Sequence, residues 1–142
     1  MDHILACTDF SEAGNRAIAQ AFDTRKDSTR VTLLHCVEPP PVPNPLYAFY
    51  VPPTAWDGRG REKALAAARE GLEALIPDGQ KDVHVNVVLG DSVGEILRVA
   101  AKQEVDLVIL GTHGRRGLRR LLLGSVTELV IRSATCPVLV VH

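Results

Sequence analysis

A chain of 142 residues matches the length of one compact domain and leaves no room for a second core. Its 46% hydrophobic and 23% charged residues exclude global disorder, and a net charge of −1 excludes a general field for nucleic acid or an acidic membrane surface. No apolar run reaches the roughly 18 residues of a membrane span and the opening MDHILACTDF lacks a secretion-signal layout, so a cytoplasmic location is expected.

In chain order, His3–Cys7 is the first short apolar run and reads as a strand. Between Glu12 and Phe22 the set Ala13, Ala17, Ile18, Ala21 and Phe22 steps by three and four, which predicts a helix with one buried face. Val31–Val37 is the second strand. Residues 39–53, PPPVPNPLYAFYVPP, hold seven of the nine prolines and exclude helix and central strand. Tyr47, Phe49, Tyr50 and Trp56 concentrate aromatics in and beside this stretch, a surface for an unknown protein partner or a cover for a ligand. Leu65, Ala68, Leu72, Leu75 and Ile76 mark the second helix, and Val83–Leu89 the third strand. Val93, Ile96, Leu97, Ala100 and Ala101 mark the third helix and Leu107–Leu110 the fourth strand. A shorter helix follows at Val126, Leu129 and Val130, halted before Pro137, and Val138–Val141 is the fifth strand.

Three helix starts carry a capping residue three positions before a Glu: Asp9 with Glu12, Ser92 with Glu95, and Ser125 with Glu128. The strand runs are nearly continuous in apolar residues, as expected where helices cover both faces of a parallel sheet. The fold expected is therefore α/β, a doubly wound, Rossmann-like five-stranded parallel sheet of order 3-2-1-4-5 with helices on both faces, in a single domain.

In such a sheet ligands bind beyond the carboxyl ends of the strands where the winding reverses. That order makes the first and fourth strands neighbours and brings Asp9 beside Gly111. The segment GTHGRRGLRRLLLGS that follows has glycines at 111, 114 and 124 and then Ser125 at a helix start, a spacing of G-x2-G-x9-G-S. Glycines let the backbone approach an anion closely, and a helix N-terminus adds a favourable dipole. Arg115, Arg116, Arg119 and Arg120 supply local positive charge. His113 by itself provides no positioned base, water and metal for hydrolysis. A P-loop lysine, a G-x-G-x-x-G and a G-x-S-x-G elbow are all missing, which argues against rapid turnover. Cys7, Cys36 and Cys136, odd in number and far apart, form no disulfide framework or zinc motif and read as reduced thiols.

The glycine spacing, the opening ILACTDFSE, the VTLLHCVE strand and the closing GSVTELVIRSATCPVLVV together resemble the universal stress proteins, specifically their ATP-binding branch. The resemblance covers essentially the whole chain. It implies that Asp9 faces the adenosine, that the backbone of Cys36 meets the adenine edge, and that Gly111 and Gly114 approach ribose and phosphates. It further implies that Gly124, Ser125 and Val126 hold the phosphates of ATP, carried with Mg²⁺, in a homodimeric regulatory protein of stress adaptation. Two positions depart from the family pattern: Cys7 stands where relatives carry Pro or another small residue, and Cys36 where Val is expected. The final strand would be an exposed sheet edge, so pairing with a second copy through it is expected, with Leu121–Leu123 as a secondary surface. The competing readings are a Mg²⁺-dependent nucleotide hydrolase using Asp9 and the arginines, a flavodoxin-like flavin carrier, and a nucleotide-free scaffold acting through the Pro and aromatic stretch 39–56.

Overall fold

The computed structural model describes residues 1–39, 57–112 and 123–142. They form five strands and four helices in strict alternation: β1 (His3–Cys7), α1 (Glu12–Thr24), β2 (Arg30–Val37), α2 (Gly58–Glu73), β3 (Val83–Leu89), α3 (Ser92–Lys102), β4 (Leu107–Gly111), α4 (Ser125–Ser133) and β5 (Val138–Val141). All four strand pairs are parallel and the order is β3-β2-β1-β4-β5, the doubly wound, Rossmann-like arrangement expected. The Pro and aromatic stretch from residue 40 to Trp56, together with His113, Gly114, the four arginines, Leu121 and Leu122, lies outside the described residues.

Alternation along the strands splits the apolar residues into two cores. Ile4, Ala6, Val31, Leu33 and Ile109 face Ala17, Ile18 and Ala21 of α1 and Leu72 of α2. Leu5, Cys7, Leu34, Val108 and Leu110 face Ile96, Val99 and Ala100 of α3 and Val130 of α4. The three central strands are buried on both faces, whereas β3 and β5, at the edges, are largely half-exposed, since an edge strand lies beyond the span of one helix pair.

The helix starts differ from expectation by a residue or two, and each shift has a local cause. Asp9 does not cap α1. Its Oδ1 accepts from the Ser11 amide at 3.0 Å, and Ser11 then caps by accepting from Gly14 N–H at 3.1 Å. Phe10, between them, takes φ 64, the left-handed conformation that costs a non-glycine residue about 1–2 kcal/mol. Asp91, not Ser92, caps α3 through Gly94 N–H at 2.7 Å, because the Ser92 hydroxyl is turned to Glu38, 2.6 Å away. Asp57 caps α2, a signal the sequence reading missed. At α4 Gly124 takes the cap position, so Ser125 is the first helical residue and no side chain caps this end among the described residues.

Candidate nucleotide site

The carboxyl ends of β1 and β4 meet as the strand order requires, and glycines make the approach close. A Cβ on Gly111 would sit 2.6 Å from the Ala13 carbonyl carbon and 2.8 Å from Gly14 N. A Cβ on Gly14 would meet Thr8 Oγ1 at 2.6 Å and Asp9 Oδ1 at 2.8 Å. Asp9 and Gly111 therefore press on the same turn of α1, from β1 and β4 respectively.

Gly111 and Gly124, thirteen positions apart, are drawn together as well. The Gly124 amide donates to the Thr112 carbonyl at 2.7 Å, and the Thr127 hydroxyl donates to the Gly111 carbonyl at 2.8 Å. Thr112 N–H in turn donates to Val141 O at 2.8 Å, fixing this corner to the end of β5. Gly124, Ser125 and Val126 thus form the start of α4 at the carboxyl edge of β4, with the helix dipole directed at that edge.

Cys36 lies near the carboxyl end of β2 with its side chain toward α3: Sγ is 4.0 Å from Ser92 O, so only its backbone is left for the role the family resemblance implies. Burial, with the carboxylates of Glu95, Glu38 and Asp91, pushes this thiol up to about 12. Burial beside Cys36 likewise raises Cys7 well above its usual value. All three cysteines are free. Because thiolate is the reactive form, native protein at pH 8 will react with a thiol-specific disulfide reagent at Cys7 and Cys36 only after denaturation. A raised thiol stabilises the fold fully below its unfolded value of 9.0, and that stability is lost as pH rises from there toward about 12. The unfolding midpoint will fall across that window less steeply in Cys36→Ala than in the unsubstituted chain.

Sequence reasoning missed Thr8, Phe10, Gly14, His35 and Thr127, which build the walls of this region. The Thr8 carbonyl can only accept, so His35 Nδ1, 2.8 Å away, carries a proton and donates. The His35 ring packs on Phe10 with centroids 4.5 Å apart. Beside them a groove of about 380 Å³ runs along Ala64, Ala67, Ala68 and Gly71 of α2. The one available signal was Gly14 in the first turn of a helix, where glycine is costly and marks close packing. Among the described residues no three His, Cys, Asp or Glu side chains converge as a metal site, and no helix is long and apolar enough to cross a membrane.

The model of the universal stress protein family matches residues 1–142. The chain belongs to the universal stress protein family. Universal stress protein MJ0577 of Methanocaldococcus jannaschii is 31% identical over 97% of this chain and 93% of its own length. Its solved structure superposes with a TM-score of 0.79 at 33% identity, covering 99% of this chain and 94% of that one. A second universal stress protein from the same organism, MJ0531, is 49% identical, over a stretch that spans 42% of this chain and 35% of that protein. A universal stress protein solved in complex with cAMP matches at 25% identity with a TM-score of 0.63, covering 99% of this chain and 96% of that one.

Proposed function

We propose that this universal stress protein domain, residues 1–142, binds ATP in a regulatory role, with at most slow hydrolysis. The nucleotide lies between the ends of β1, β2 and β4 and the G-x2-G-x9-G-S segment. The observation that carries the reading is α4, whose N-terminus has no side-chain cap among the described residues, although α1, α2 and α3 each have one, and which opens at the reversal of strand order. The amides of Ser125 and Val126, uncapped among the described residues, suit the β- and γ-phosphates together with the Ser125 hydroxyl. The relative holding cAMP supports an adenine nucleotide as the ligand class.

In this reading Gly124, Ser125 and Val126 receive phosphates, Gly111 and Gly114 let the backbone approach ribose and phosphates, Asp9 faces the adenosine, and the Cys36 backbone meets the adenine edge. Asp9 is a single carboxylate, so Mg²⁺ arrives on the phosphates rather than on a protein cluster. Occupancy orders the segment 111–124 and alters contacts in a homodimer built on β5. Exposed Leu139 and, on α4, Leu129 and Ile131 supply apolar surface near that edge. Three reduced thiols suit a cytoplasmic protein.

Nucleotide released on denaturing the purified protein, followed by calorimetric titration of Mg-ATP into the unsubstituted chain and Gly114→Val, tests the reading. Stoichiometric ATP, lost in the variant, is expected. A folded protein that neither retains nor binds a nucleotide would overturn it and favour the scaffold reading. The dimer is tested by Val140→Lys, which is expected to halve the mass in solution; an unchanged dimer mass places the interface elsewhere.

A further inference from the structure

At the opposite end of the sheet, where the strands begin, the face covered by α3 turns polar. His3, Leu5 and Cys7 share this face on β1, as do Arg30, Thr32, Leu34 and Cys36 on β2, with His84 and Asn86 beside Thr32 and Leu34 on β3. The apolar members make the core, but the lower row is His3, Arg30, Thr32 and His84. His3 and Thr32 are 3% and 2% exposed, so two polar side chains occupy positions where apolar ones would otherwise extend the core.

Their hydrogen bonds include one conflict. His3 Nε2 lies 2.8 Å from Thr32 Oγ1, which donates to Gln103 Oε1 at 3.3 Å. His3 Nδ1 lies 3.1 Å from the Gln103 carbonyl and 3.2 Å from Nη2 of Arg30. The first contact requires a proton on Nδ1 and the second requires a lone pair, so only one can exist at a time. Burial, reinforced by the Arg30 charge, holds the His3 imidazole below its usual value, so the ring is neutral and must choose.

Above this floor is a recess of about 310 Å³ lined by Arg30, Thr32, His84, Val85, Asn86 and Gln103. No carboxylate is among the lining residues, and Arg30 makes no ion pair among the described residues. The acid closest in the network, Asp106, has Oδ2 engaged by the amides of Asp2 at 2.6 Å and His3 at 2.9 Å. The Arg30 side chain is exposed, and the guanidinium fork of five donors holds one ring nitrogen at Nη2, while the amides of Asn86 and Gln103 and the imidazole of His84 line the same recess.

We propose that this recess is a second ligand site, independent of the nucleotide reading, for a small oxyanion: a phosphate or carboxylate group held by the Arg30 fork, with His84, Asn86 and Gln103 as further donors. The anion draws the guanidinium off His3 Nδ1, and the ring then takes the tautomer in which Nδ1–H donates to the Gln103 carbonyl while the Thr32 hydroxyl turns from Gln103 Oε1 to donate to Nε2. Binding at the strand starts is thereby written into a buried histidine.

The test titrates inorganic phosphate and, separately, succinate into the full chain while the imidazole nitrogens and the backbone amides are followed by nuclear magnetic resonance. Saturable shifts of His3 and His84 in the millimolar range are expected, and the tighter of the two probes names the oxyanion. Affinity falls at least tenfold in both Arg30→Met and Arg30→Lys, since lysine keeps the charge without the fork. His84→Leu, at an exposed position, weakens binding without unfolding the chain and covers the case in which an Arg30 variant does not fold. Absence of a saturable shift with either probe overturns the proposal. So does a response that survives in both Arg30 variants, or one confined to the amides of Gly124, Ser125 and Val126.

Discussion

Replacing Gly111 by alanine is expected to lower stability by about 2–3 kcal/mol, read as a fall in the urea midpoint at unchanged slope. The reason is what the new methyl meets: Ala13 C at 2.6 Å, Ala13 O at 2.8 Å and Gly14 N at 2.8 Å, all backbone. A flexible side-chain tip would swing aside. The first turn of α1 cannot, because Ser11 caps it and it packs on both β1 and β4. Gly58→Ala is the contrast, since nothing lies within 4 Å of its Cβ and it sits at the start of α2. There alanine's better helix propensity makes the change neutral to slightly stabilising. Loss of nucleotide binding in Gly111→Ala would consequently report a displaced α1 as readily as a lost ligand contact. A Gly111→Ala chain as stable as the original would show that the two elements can separate at little cost.

Gly124→Asp separates stability from binding more cleanly. Gly124 has φ −61 and ψ 147, a conformation open to any residue, so aspartate enters without backbone strain and supplies the side-chain cap that α4 lacks among the described residues. The unfolding midpoint is expected to stay constant or rise by a few tenths of a kcal/mol. Affinity for Mg-ATP is expected to fall about 100-fold, since a carboxylate among the helix amides repels phosphate by several kcal/mol, each 1.4 being roughly tenfold. Gly124→Ser caps without charge and will lose far less. Unchanged affinity in the aspartate variant would place the phosphates away from α4.

The strands and their order were legible because each is a short apolar run with a helical repeat between, and a parallel βαβ chain winds with one hand. The meeting of Asp9 and Gly111 followed from that order alone. The caps were less legible, because Asp91 beside Ser92 and Gly124 beside Ser125 offer two registers that no periodicity separates. Tertiary partners chose between them: Glu38, arriving from the end of β2, engaged Ser92 and left Asp91 to cap. Phe10 in the left-handed region and the Phe10–His35 contact depend on a turn geometry with no glycine to announce it. The polar recess at the strand starts was likewise invisible, since His3, Arg30, Thr32, His84 and Gln103 are scattered over a hundred positions and meet only through register.

The place of β1 in the middle of the sheet also sets a timetable for folding. β1, made before the other four strands of this sheet, pairs on one side with β2, beginning about 27 positions later, and on the other with β4, beginning at Leu107. The segment up to Leu89 can therefore assemble β1, β2 and β3 while the rest is still being synthesised, but it does so with one flank of β1 bare. β4 and β5 have no sheet to join except that flank, so the last quarter of the chain, from Leu107 on, folds by docking onto a finished template. Folding thus becomes vectorial. The corner where α4 begins is closed last, and a polypeptide stalled before β4 leaves the backbone edge of Ile4, Leu5 and Ala6 open, the edge that Leu107, Val108 and Ile109 would pair with.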